Sequence, residues 1–331
     1  MLDLSSLKVR TALHAVRQAA LLMRLLQRET VVSSLTKGDK SPVTVADFAS
    51  QAIIGRFLSQ AFPDIPLVAE ETSTALRAPE GTKLLAQVTQ YVGKIIAEAT
   101  PESACDWIDC GGADAGGQFW VLDPIDGTKG FLRGDQYAVA LALVEDGLPR
   151  IGVLGCPNLR DASIPDLEGP GSLVLAVRGE GAWATSLVEE EGEWQQLKVS
   201  ARSDPSQARL LRSFEAGHTN VNRVDELADW LGVQVEPVRM DSQAKYALLA
   251  AGGGEVMVRL LSADRPDYRE KIWDQAAGAI ILEEAGGKIT DLSGRPLDFT
   301  QRRTLKNNRG VLATNGLLHE KILQGLAVIQ A

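Results

Sequence analysis

Apolar residues recur three and four positions apart at Leu13, Val16, Ala20, Met23 and Leu26, with Arg10, Arg17 and Arg24 between them. That period predicts an amphipathic helix over residues 4–27. Thr44-Val45-Ala46-Asp47 has the form of a capping box and opens a second predicted helix, which runs to about Ala61 ahead of Pro63 and Pro66. Leu67-Val68-Ala69 is a short apolar strand, and a third helix is expected over 80–99. A glycine-rich loop over 109–117 feeds a strand over 119–122; strands over 137–144 and 151–154 flank the turn Asp146-Gly147. Helices packed on an antiparallel sheet are the expected outcome.

Beyond Cys156 the rhythm changes. Strands over 173–177 and at Trp183 precede a helix over 221–231, a strand over 233–238, a helix over 243–251 and a strand over 255–260. A helix over 274–284 ends at Gly286-Gly287, which suits a left-handed C-cap, and a strand over 311–314 and a terminal helix follow. Alternating helix and strand mark an α/β unit. A soft boundary therefore divides an α+β domain, residues 1–155, from an α/β domain, residues 156–331.

With 45% apolar and 23% charged residues over 331 positions, the chain can bury a substantial core, which excludes disordered and collagen-like classes. Lysine plus arginine (34) against aspartate plus glutamate (43) leaves a net charge of −9, which argues against general nucleic-acid or membrane-surface binding. Such a protein binds phosphate only through metal ions or a local basic pocket. Cys105, Cys110 and Cys156 form no CxxC pair and no even set, so free thiols in a reducing cytoplasm are expected. A bridge between Cys105 and Cys110 is conceivable from their spacing but less favoured. The apolar run from Ala19 to Met23, bounded by Arg17 and Arg24, is too short for a membrane span or a signal core, which places the protein in the cytoplasm.

The densest chemical signal is Trp120-Val-Leu-Asp123-Pro-Ile-Asp126-Gly-Thr128, a hydrophobic strand running into two aspartates three positions apart. Pro124 restricts Asp123 to extended backbone and Gly127 permits close approach of a ligand, so the turn offers two carboxylates and the Ile125 carbonyl to a hard cation. All-oxygen donors favour magnesium or manganese over zinc. The competing explanation is an aspartate-rich turn whose side chains cap local amides. Glu70-Glu71, after the short strand, and Asp274, after Trp273, complete the number of carboxylates that a two-metal phosphatase needs. Each alone reads equally as a solvated acid or a helix cap; the conjunction carries the metal reading. Asp47 and Thr128 could orient and deprotonate an attacking water, although Asp47 is also explained as the acid of its capping box.

Other fingerprints are missing: no GxxxxGK[ST], no GxGxxG after a strand and no GxSxG. His14, His218 and His319 are too scattered for a zinc site.

Glu70-Glu71, the run from Asp123 to Thr128, Trp273-Asp274-Gln-Ala-Ala-Gly278 and Glu284-Ala-Gly-Gly287 resemble the successive signatures of the inositol monophosphatase superfamily of magnesium-dependent, lithium-sensitive phosphatases. Within it, the segments 123–137, Gly155-Cys-Pro-Asn158, Asp241-Ser-Gln-Ala-Lys-Tyr246 and Glu270-Lys-Ile-Trp-Asp274 are most similar to eukaryotic-type 3′(2′),5′-bisphosphate nucleotidases. The resemblance implies a layered αβαβα sandwich, α+β followed by α/β. It implies two or three magnesium ions, replaceable by manganese, on Glu70, Asp123, the Ile125 carbonyl, Asp126 and Asp274, with Asp47 and Thr128 positioning water. It further implies that Ser242, Lys245, Arg259 and His218 contact a small nucleotide bisphosphate, beside Asp126, Gly127, Thr128 and Asp274. The implied reaction is hydrolysis of the 3′-phosphate of adenosine 3′,5′-bisphosphate, and also of 3′-phosphoadenylyl sulfate, by a monomer or homodimer. Two rivals are an inositol monophosphatase or polyphosphate 1-phosphatase, which Lys129-Gly130-Phe131 in place of Asn-Phe argues against, and a non-catalytic sensor, which the full acidic set argues against.

Overall fold

Each central strand splits its side chains between two cores. In β2 (Gln118–Asp126), Trp120 and Leu122 face one core while Phe119 and Val121 face the other. A period of two, apolar on both sides, is what a sheet sandwiched between helical layers requires. The computed structural model of the chain describes residues 2–34, 41–214, 220–261, 265 and 267–329. Its larger sheet has the order β1 (Leu67–Ala69), β2, β3 (Ala138–Glu145), β4 (Leu148–Cys156), β7 (Ser172–Val177), β8 (Gly181–Ser186), β9 (Gln195–Gln196). β1 joins β2 in parallel and the other neighbours pair antiparallel. Between β4 and β7, β5 (Leu159–Arg160) and β6 (Ile164–Pro165) form a small ladder of their own. The second sheet has the order β11 (Val238–Arg239), β10 (Leu210–Arg212), β12 (Val256–Arg259), β14 (Val311–Thr314), β13 (Lys288–Thr290).

Helices α1 (Leu7–Ser34) and α2 (Ser41–Ala61) cover the outer face of the first sheet. Against α2 lie α4 (Thr82–Val92) and α5 (Pro101–Asp109), with the single turn α3 (Thr74–Arg77) beside α4, and α6 (Thr128–Arg133) follows β2. Helices α8 (Ala244–Ala250), apolar but for Lys245 and the Tyr246 hydroxyl, and α9 (Ala276–Glu284), apolar as far as Leu282, fill the space between the sheets. Outside the second sheet, α7 (Val221–Leu231) and α10 (His319–Val328) cover Val256, Val258 and Leu312. The layers are thus αβαβα. No helix among the described residues is long and apolar enough to cross a membrane.

Several local expectations change. Helix α2 is described from Ser41 onward, so Thr44 and Asp47 lie inside it and no capping box opens there. The third helix is only α4, which ends at Gly93. Residues 123–126 continue β2 instead of forming a turn. The strand over 233–238 shrinks to Val238–Arg239, because Pro237 offers no ladder donor. The first sheet also runs past residue 156, and the passage to the second sheet falls between Gln196 and Leu210. Cys105 is buried and Cys110 half-buried, both as free thiols.

Two packing features carry predictions. A β-carbon on Gly278 of α9 would lie 2.1 Å from the Tyr246 ring on α8. Gly278→Ala is expected to destabilise the fold by about 1–3 kcal/mol through overpacking, seen as a lower denaturant midpoint; an unchanged midpoint would contradict this close approach. The fully buried His319 lies between the hydroxyls of Thr290 and Thr314, at 2.9 and 3.0 Å. Burial, helped by Lys288, pushes its pKa from 6.5 down to about 4. Between those values the unfolded chain binds the extra proton and the folded chain does not, so stability falls as pH drops through that window. The melting temperature should fall less between pH 7 and pH 5 in His319→Gln than in the wild type.

Candidate active site

β1 and β2 run parallel with Ala69 beside Leu122, so the chain reaches Glu70 and Asp123 at the same end of the sheet. The β2–β3 register shifts between Asp123 and Asp126, and Gly127 (φ 90°) then turns the chain into α6. Only glycine fits there, because a β-carbon would lie 2.7 Å from that of Ser242. Helix α2 braces these ends from one face. Ser50 Oγ donates to the Pro124 carbonyl at 2.8 Å, and Gln51 exchanges hydrogen bonds with the backbone of Glu71 at 2.8 and 3.0 Å. Asp47, one turn earlier, is buried on that same face.

The other wall comes from the second half. Gln243 donates its backbone N–H to Asp126 Oδ2 (2.7 Å) and its amide Nε2 to the Trp273 carbonyl (2.9 Å), and accepts from the Gly278 N–H (3.0 Å). This buried side chain ties the aspartate loop to the entry of α9, which carries Asp274. Lys245 Nζ donates to Ser213 Oγ at 3.2 Å, and Arg259, at the end of β12, pairs with Glu270 at 3.1 Å. Arg259 Nε is buried with no hydrogen-bond partner among the described residues. A cleft of about 440 Å³ here brings in Glu70, Asp123, Ile125, Asp126, Gly127, Thr128, Ser242, Lys245, Arg259 and Asp274. Asp47 is not among the residues that line it, and His218 lies outside the described residues.

The acids are crowded. Burial, then Asp126, Glu70, Asp274 and Asp47, hold the Asp123 carboxyl well above the usual carboxylate range. Asp274 is raised by burial against the pull of Arg259, and Asp47 by burial, Glu71 and Glu70. Glu70, at the solvent-exposed mouth, is still pushed up to about 7 by lost hydration, Glu71 and Asp126. Burial brings Lys245 down to about 8, against Asp126, which favours its charge. Asp123 Oδ1 is buried with no hydrogen-bond partner among the described residues. An orphaned carboxylate oxygen among like charges fits a hard cation. Among the described residues no three acidic, histidine or cysteine side chains close a cage by themselves.

Thr128 Oγ1 donates to the Ile125 carbonyl at 3.4 Å, and among the described residues no hydrogen bond joins it to Asp47. Sequence reasoning missed Gln243, although it lies inside the quoted segment 241–246, and also Ser50 and Gln51, whose spacing from Asp47 marked one helix face. Arg133 was missed too. It pairs with Asp241, whose Oδ1 accepts the Phe214 N–H at 3.1 Å, and fixes the wall beside Ser242.

The inositol monophosphatase family matches over residues 5–330. The chain is 41% identical to the 3′(2′),5′-bisphosphate nucleotidase of Schizosaccharomyces pombe, covering 96% of this chain and 94% of that protein. It is 41% identical to the nucleotidase of the same name from Oryza sativa, covering 95% and 92%. Among solved structures, the extragenic suppressor protein suhB of Bartonella henselae superposes with a TM-score of 0.64 at 20% identity, covering 97% of this chain and 100% of that one. The inositol monophosphatase of Anabaena gives 0.61 at 23%, covering 97% of each. At such identities these structures speak for the fold.

Proposed function

This chain belongs to the inositol monophosphatase family, and from that premise we propose that it removes the 3′-phosphate of adenosine 3′,5′-bisphosphate, giving AMP and phosphate, and also acts on 3′-phosphoadenylyl sulfate. One observation carries the reading: a single cleft gathers the carboxyls of Asp123, Asp126 and Asp274 with the cations Lys245 and Arg259. The acids suit metal-dependent phosphate chemistry, and the cations suit a second phosphate that a sugar-alcohol monophosphate lacks. The name of the fission-yeast and rice relatives supports the same substrate.

Glu70, Asp123, the Ile125 carbonyl, Asp126 and Asp274 would hold magnesium, as two or three ions, with manganese as a substitute. When bound, magnesium neutralises phosphate charge and acidifies water. Asp47 and Thr128 orient the attacking water and take or guide its proton. A new oxygen–phosphorus bond forms in line as the bond to the ribose 3′-oxygen breaks, and a proton ends on that oxygen; no phosphoenzyme is formed. Ser242, Lys245, Arg259 and His218 bind the nucleotide, while Asp126, Gly127, Thr128 and Asp274 flank the departing phosphate. Residues 1–155 supply most metal ligands, and residues 156–331 supply the nucleotide wall and Asp274. The protein works as a monomer or homodimer in the cytoplasm.

Phosphate release in the presence of magnesium, from adenosine 3′,5′-bisphosphate and from inositol 1-phosphate in parallel, with and without lithium, tests this function. Preference for the nucleotide with suppression by lithium is expected. Preference for the inositol phosphate would overturn the nucleotide wall, and release from neither would overturn hydrolysis and favour a binding-only sensor.

A further inference from the structure

Arg303 does not line the cleft, yet its guanidinium joins two segments that do. Nη2 donates to the Ala69 carbonyl, one residue before Glu70, and Nη1 donates to the carbonyls of Gly111 (3.3 Å) and Ala113 (3.2 Å). Those carbonyls belong to the loop that pairs along β1, where the Ala69 N–H donates to the Gly111 carbonyl at 2.9 Å. The guanidinium carbon also lies 4.9 Å from the centre of the Trp273 ring, one residue before Asp274. The backbone reinforces the link: the Ile272 N–H donates to the Arg303 carbonyl at 3.3 Å, and Lys271 bridges to Thr304. A planar fork can satisfy three carbonyls at its edge while its face lies against an indole; an ammonium cannot do both.

We propose that Arg303 is a positioning residue that fixes Glu70 and Asp274, from opposite halves of the chain, at the spacing one metal centre requires. The inference rests on the metal reading given above. Metal sites hold their ligands through such supporting contacts, whose loss weakens metal binding by roughly 10–100-fold.

The test compares Arg303→Met and Arg303→Lys with the wild type and with Arg302→Met, a neighbouring arginine whose side chain is 82% exposed. Magnesium and manganese binding to the substrate-free protein is measured by calorimetry, beside the magnesium dependence of phosphate release. Both Arg303 variants should bind metal roughly tenfold more weakly. The magnesium concentration for half-maximal rate should rise by the same factor, kcat should return at saturating magnesium, and Arg302→Met should match the wild type. Unchanged metal affinity in folded Arg303→Lys, or a kcat loss that excess magnesium does not restore, would overturn the proposal. A wild-type protein that binds neither ion would overturn the metal reading together with it. Wild-type binding with unaltered Arg303 variants would overturn the role of Arg303 alone.

Discussion

Asp123→Asn should lose activity and gain stability at once. The Asp123 carboxyl is buried, its Oδ1 has no hydrogen-bond partner among the described residues, and burial with the nearby Asp126, Glu70, Asp274 and Asp47 disfavours its charge. In the metal-free protein a neutral amide there relieves like-charge repulsion, so the melting temperature measured with a chelator should rise. With magnesium present, removing one anionic ligand forfeits several kcal/mol of charge stabilisation, and phosphate release should fall by about a thousandfold or more. Asp274→Asn should behave in the same way, because burial and Asp126 raise its carboxyl too, against the pull of Arg259. Wild-type activity in either variant would sink the metal assignment. A lower melting temperature without metal would show that the carboxyl has a structural role instead.

Lys245→Met should separate substrate choice from hydrolysis. Lys245 is buried in the cleft wall, donates to Ser213 Oγ and keeps its charge largely through Asp126. A charge-assisted hydrogen bond to a second phosphate contributes about 1.5–3 kcal/mol, so kcat/KM for adenosine 3′,5′-bisphosphate should drop by roughly 10–100-fold. Adenosine 3′-phosphate, which lacks the second phosphate, should lose much less. Equal losses on the two substrates would mean that Lys245 serves only to keep Asp126 ionised.

Local pattern revealed the layers because burial on both faces writes itself into sequence. The runs 119–122 and 256–258 are apolar without alternation, as strands between helical layers must be, and α9 is buried all round as far as Leu282. The same logic misled at residue 233, where valines suggested a strand that Pro237 cuts short. It misled again at Thr44, because the capping pattern is local and the helix, described from Ser41 onward, already spans Thr44 and Asp47. Within the cleft, Asp123 and Asp126 were legible from three residues of spacing. Gln243 and Arg303 were not, since the carbonyls that the Arg303 guanidinium binds lie 190 to 234 residues away and no short motif spans that distance. Sequence names the acids; the contacts that aim them belong to the folded chain.

The central claim is that this cleft cuts one particular phosphate from a nucleotide carrying two. The most direct test is to incubate the protein with magnesium and adenosine 3′,5′-bisphosphate and to identify the nucleotide product by chromatography. Adenosine 5′-phosphate, formed in step with inorganic phosphate, is the expected result. Adenosine 3′-phosphate as the product, or an unconsumed bisphosphate, would contradict the account.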